Sequence, residues 1–192
     1  MFDPECDTGS VTGMDGVVVS VSARPEYGFS KPQLDEITLV RGHGVEGDAH
    51  AGATVRHRIL VRKDPDAPNL RQVHLLHKEL LDHVATLGHA VAPGELGENV
   101  TTEGIDLLGL PRRTRLRIGD EAEVELTVLR NPCGQIDDFQ QGLRAHLQPV
   151  GGDGVRRRIS GVMAVVVAGG CVRPGDGIAV TFPDGPHEAL TA

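Results

Sequence analysis

The sequence predicts a mostly-β barrel or α+β domain. Three observations carry this. With 25 glycines and 12 prolines in 192 residues, turns must recur often, which favours many short strands over a few long helices. Short aliphatic and β-branched runs bounded by Gly, Pro or Asp recur about eight times along the chain. Only two stretches carry the i, i+4 apolar spacing of an amphipathic helix.

In chain order, strands are expected over residues 16–22 and 37–40, a short one over 58–61, and then over 98–102, 114–118, 122–129, 162–168 and 177–182. Gly119-Asp120 marks a hairpin between two of them. Residues 24–34 hold Pro25, Gly28 and Pro32 and read as loop. A helix is expected over 73–87, where Leu76, Leu80, Val84 and Leu87 form one stripe and Gly88 supplies the C-terminal cap. A shorter helix over 137–147 spaces Phe139, Leu143 and Leu147 by four. Residues 1–14 read as a leader and 183–192 as a C-terminal tail. That leaves 15–182 as one domain without internal repeats.

Composition narrows the function. Aromatics are 3% of the chain and tryptophan is absent, so the core is aliphatic. A net charge of −8 argues against nucleic acid as the main partner, because phosphate-backbone binding needs a basic surface. Arg156-Arg157-Arg158 is the one tight cationic cluster and reads as a solvated loop or an anion contact. No apolar run reaches the ~20 residues of a membrane span. No secretory signal is visible, and three scattered cysteines form neither a disulfide framework nor a Cys-x-x-Cys site, which fits a cytoplasmic setting.

The familiar nucleophile-elbow, Walker, dinucleotide and His-Glu-x-x-His patterns are absent. Cys6 falls in the leader, and Cys171 reads as part of a turn connecting strands. A glycine-rich loop, residues 42–52, carries His43, Asp48 and His50, which spacing alone leaves open as a pocket edge or a metal site. Cys133 stands apart. It follows a strand, sits behind Pro132 in a turn, and has Arg130 three residues before it. A guanidinium nearby favours a thiolate, the form that attacks sulfur or binds soft metals; a buried, inert cysteine is the other reading.

Several segments, in order, resemble the MOSC domain, the module named for the carboxy-terminal part of molybdenum-cofactor sulfurases. They are Gly44-Val45-Glu46-Gly47-Asp48-Ala49-His50-Ala51-Gly52, Arg71-Gln72-Val73-His74-Leu75-Leu76 and Pro93-Gly94-Glu95-Leu96-Gly97-Glu98-Asn99-Val100-Thr101. Leu116-Arg117-Ile118-Gly119-Asp120, Arg130-Asn131-Pro132-Cys133 and Val172-Arg173-Pro174-Gly175-Asp176 follow.

The resemblance implies a mostly β (α+β) MOSC-type β-barrel with two or three peripheral helices. It implies a molybdenum cofactor (molybdopterin) held in a pocket, with Cys133 as catalytic residue and metal ligand. Asp48, His50, Arg71, Gly97, Glu98, Asn99, Thr101, Arg130 and Asn131 are the implied cofactor-binding residues. The implied function is reduction of N-hydroxylated substrates, an oxidoreductase activity, or handling of cofactor sulfur; the alternative is a non-catalytic carrier of sulfur or molybdopterin. Its partners would be a small-molecule substrate and an electron-transfer reductase or a cofactor-accepting enzyme, and a homodimer is compatible with this. Two departures stand out. Residues 53–70 separate Gly52 from Arg71, leaving Arg56, Arg58 and Arg71 as competitors for one role, and Cys171 takes the place of an expected acidic residue.

Overall fold

Alternating burial along Ala122–Leu129 shows how the barrel is built: Ala122, Val124 and Leu126 are fully buried while Glu123 and Glu125 face outward. The computed structural model describes residues 15–56 and 58–191, of which 58–60 are described in their backbone only. In chain order the elements are β1 (Gly16–Ser22), β2 (Gln33–Leu34), β3 (Ile37–Val40), β4 (Gly44–Val45), α1 (Arg58–Lys63), β5 (Val73–His77), α2 (Lys78–Thr86), β6 (Val100–Glu103), β7 (Arg115–Ile118), β8 (Ala122–Leu129), α3 (Gln135–Phe139), α4 (Leu143–His146), β9 (Val162–Ala168), β10 (Gly170–Val172) and β11 (Gly177–Thr181).

Seven strands close on themselves in the order β1, β6, β5, β9, β8, β7, β11, with β11 returning to β1. Neighbours are antiparallel except β5 and β6, which run parallel and are joined through α2, the crossover a parallel pair requires. β1 meets β6 on one side; on the other it pairs with β11 at Gly16 and Val17 and with β2 at Val21 and Ser22. A small second sheet, β10-β3-β4, lies beside the barrel. The barrel interior is aliphatic, filled by residues such as Val18, Leu75, Val100, Leu116, Leu126 and Ile178. A second apolar cluster joins α2 to α3 and α4 through Leu76, Leu80, Val84, Ile136, Leu143 and Leu147. Among the described residues, no helix is long and apolar enough to cross a membrane.

Several local expectations need correction. The helix expected over 73–87 is a strand followed by a helix. Val73–His77 is buried on both faces, so its side chains mimic helical spacing, and chain direction changes at His77, whose backbone is extended. Gly88, with φ of 91°, follows the helix and donates to the Ala85 carbonyl at 3.1 Å, as a left-handed cap does. The helix expected over 137–147 is two short ones, divided at Gly142, whose φ of 87° no continuing helix permits. Residues 58–61 belong to helix α1, not to a strand. Cys171 lies in strand β10 opposite Thr38 of β3.

Within the expected C-terminal tail, the far end is held down. Leu190 is buried in the barrel cluster, Arg112 N–H donates to the Glu188 carbonyl at 2.7 Å, and Leu129 N–H donates to the Thr191 carbonyl at 2.7 Å. The expected leader, 1–14, lies outside the described residues.

Candidate functional site

The turn after β8 and the turn before β6 bring their polar side chains to one cavity of about 500 Å3. Arg130, Asn131, Pro132 and Cys133 enter it directly from the end of β8; Leu96, Gly97 and Asn99 come from the segment before β6. His74 of β5 and Met163 of β9 reach it from the barrel wall, and Phe29, Lys31, His50, Arg56, Lys63 and Arg71 come from loops and α1. At Gly97 the chain passes so close to the Phe29 carbonyl that an added Cβ would stand 2.6 Å from that oxygen. Among the described residues, five cationic side chains line the cavity and no carboxylate does, although the chain as a whole carries −8.

Behind the cavity wall lies a buried polar network. Asp48 accepts from the Lys31 ammonium at 2.8 Å, with both side chains nearly inaccessible, and from the His50 N–H at 2.9 Å. Burial alone would raise the Asp48 carboxyl, but the hydrogen bonds from His50 and the Lys31 charge overrule it and hold the group below the usual carboxylate range. Asn99 spans the network: its Nδ2 donates to Asp48 at 3.1 Å and to the Ser22 carbonyl at 3.1 Å, while its Oδ1 accepts from the His74 N–H at 3.1 Å. One Glu98 oxygen accepts from the Gly94 N–H at 2.6 Å and the Thr101 hydroxyl at 3.1 Å. The other, Oε2, is buried with no partner among the described residues, and desolvation pushes the Glu98 carboxyl upward.

Arg130 is the cationic counterpart. Its Nη2 donates to the Leu96 carbonyl at 3.3 Å, and its Nη1 is buried without a partner among the described residues. Burial pulls the guanidinium down from its ordinary value; Cys133 in its thiolate form and Glu98 act to keep it charged, and Arg71 opposes them. Burial also lowers Arg71. The Cys133 thiol is partly buried, and its one hydrogen-bond acceptor is Gln135 Oε1 at 3.6 Å. His74 is wholly buried and desolvation brings it down to about 3, so it is neutral near pH 7. Because a carbonyl only accepts, the 2.9 Å contact between His74 Nε2 and the Ser160 carbonyl puts the ring proton on Nε2.

Of the residues expected from sequence, His50, Arg71, Gly97, Asn99, Arg130, Asn131 and Cys133 line the cavity. Asp48, Glu98 and Thr101 do not; they are buried behind its wall, where they hold the lining in place. Arg56 and Arg71 both reach the cavity, and the Arg58 side chain lies outside the described residues. The Arg156–Arg158 cluster is exposed: Arg157 pairs with Asp153 at 2.7 Å and Arg158 donates to Asn131 Oδ1 at 3.1 Å. Sequence reasoning missed Lys31, His74, Lys63 and Met163. His74 carried a signal, an imidazole within an otherwise apolar run, that assignment to a helix concealed. Lys31, in a Pro- and Gly-bearing loop, carried none.

A MOSC domain profile matches residues 48–179, more than two thirds of the chain. The chain belongs to the MOSC domain family. YuaD from Bacillus subtilis shares the fold over 86% of this chain and 94% of its own, with 23% identity and a TM-score of 0.71. YiiM from Escherichia coli matches over 90% of this chain and 73% of its own, with 19% identity and a TM-score of 0.59. YiiM from Geobacillus stearothermophilus matches over 92% and 78%, with 14% identity and a TM-score of 0.59. No curated protein matches the chain.

The MOSC cavity offers one thiol and several cations. Among the described residues no three His, Cys, Asp or Glu side chains are grouped to hold a bare metal ion. The donor set therefore suits a metal that arrives with most of its own ligands and needs one soft donor from the protein. The buried, unpartnered Arg130 Nη1 likewise fits an anionic group beside that donor.

Proposed function

We propose that this MOSC protein binds molybdenum cofactor, with Cys133 as the protein's thiolate ligand to molybdenum, and reduces N-hydroxylated substrates or handles cofactor sulfur there. The single observation supporting this reading is the meeting of the Cys133 thiol with two desolvated guanidiniums, Arg130 and Arg71, at a cavity lined by no carboxylate among the described residues. Arg130, with one N–H pair unspent, donates to the anionic cofactor and offsets the thiolate charge. Asn99 fixes the strand bearing His74, and Asn131 and Gly97 present hydrogen-bonding groups to a heterocycle's polar edge. When bound, the cofactor supplies the two-electron chemistry that removes an N–O oxygen as water. Asp48, Glu98 and Thr101 position this lining without touching the ligand. The described chain acts as one unit in a cytoplasmic setting, with a reductase as electron source.

A second reading, a carrier of sulfur or molybdopterin, draws on the accessibility of the Cys133 thiol and its single weak acceptor. Turnover separates the two. Protein produced with molybdate and reduced chemically is expected to convert a hydroxylamine to the amine, and Cys133→Ala is expected to lose at least about 100-fold in rate, the scale of losing a group that acts in the transition state. A cofactor-loaded wild type that never turns over would favour the carrier, and a persulfide on Cys133 would then be sought.

A further inference from the structure

Residues 53–56 and 58–69 belong to a flap whose ends are tied together beside the cavity. Thr54 and Pro68 bridge, the Val55 N–H donates to the Ala67 carbonyl at 2.9 Å, and the Asn69 N–H donates to the Ala53 carbonyl at 2.9 Å. Asn69 anchors the base by donating from Nδ2 to the His50 and Gly52 carbonyls, each at 3.0 Å. The flap sends two cations, Arg56 and Lys63, to the cavity wall. Arg56 is held in place: its guanidinium lies over Gly52, where an added Cβ would come within 2.6 Å of Nε, and its carbonyl accepts from the Tyr27 hydroxyl at 3.2 Å.

Among the described residues, no carboxylate pairs with either of these two side chains. Lys31 is paired with Asp48, and Arg71 and Arg130 flank the Cys133 corner. Arg56 and Lys63 make no ion pair among the described residues. In a chain of net −8, one tethered flap thus presents to the cavity two cations that form no ion pair among the described residues, and such a pair attracts an anion supplied from outside. A guanidinium with an ammonium suits a dianionic oxyanion, the first by a fork of N–H groups and the second as a point charge.

We propose that Arg56 and Lys63 bind the phosphate group of a phosphate-monoester substrate, whose other end lies toward Cys133. This rests on the reading of the cavity as a cofactor site: Arg71 and Arg130 answer the thiolate and cofactor, leaving the flap pair to the substrate.

Calorimetric titration of the protein produced with molybdate, using phenyl phosphate and phenol as probes, tests it. Wild type is expected to bind phenyl phosphate at least about tenfold more tightly than phenol, a preference that shrinks as sodium chloride is raised. In the double variant Arg56→Gln/Lys63→Gln the preference is expected to fall to within about twofold, with molybdenum and pterin contents unchanged. Both side chains are exposed, so the fold should survive, which circular dichroism checks. Equal binding of the two probes by wild type would overturn the proposal. So would a preference that persists in the double variant, or loss of molybdenum and pterin from it, which would give these cations to the cofactor. A wild type without molybdenum would sink the cofactor reading, while the phosphate preference and its loss in the double variant would still decide the flap's role.

Discussion

Burial, and not a neighbouring acid, sets the state of His74. Its imidazole is brought from the ordinary 6.5 down to about 3, and the Arg130 charge pushes the same way. Between those values the unfolded chain takes up a proton that the folded protein refuses, so stability falls as pH drops from about 6.5 toward 3. Asp48 continues the trend further down: its carboxyl is held below the ordinary 3.8, so its contribution is present above that value and is lost as pH falls beneath it. From pH 7 to 5 the His74 term alone should cost about 2 kcal/mol. His74→Gln keeps an N–H donor for Ser160 and removes the titration. In urea unfolding the variant should lose about 2 kcal/mol less than wild type over that interval; equal losses would show that His74 is not buried neutral.

At the scale of elements, Cys133 stands in the turn between β8 and α3, and the helical segment that follows it is divided into α3 and α4. Ile136, Leu143 and Leu147 are fully buried in the cluster shared with α2, so both helices are pinned by their apolar sides. Gly142 lets the chain break between them at φ of 87°, and nothing lies within 4 Å of where its Cβ would be. Gly142→Ala should therefore cost only conformational strain, about 1–2 kcal/mol in chemical denaturation, with no steric addition. A loss well above that would mean the break is not accommodated as described. This break was hidden in the sequence because Phe139, Leu143 and Leu147 keep helical spacing across it. Val73–His77 was misread for the related reason that a strand buried on both faces has no alternation to distinguish it from a helix. β8 and β9, whose buried residues alternate with partly exposed ones, were legible to the residue.

Across the whole molecule, the closed barrel follows from patterning that is local: short alternating strands, frequent turns and an aliphatic interior. The cavity is legible in part. Cys133, Arg130 and Asn99 stand in contiguous turns whose polar composition announces them. Lys31 and Lys63 enter the cavity only because a loop and helix α1, distant in sequence from Cys133, fold over it, and no local pattern records that. Asp48 and Glu98, expected among the cofactor-binding residues, are buried and do not line the cavity; sequence tells a polar residue's chemistry but not its depth.

What the cationic cavity around Cys133 holds decides the function of this protein. The most direct measurement is elemental molybdenum and pterin analysis of the wild-type protein beside Cys133→Ser, both produced with molybdate. Molybdenum and pterin together are expected in the wild type, with loss of molybdenum in the variant; a wild type carrying neither would show that Cys133 serves no such cofactor.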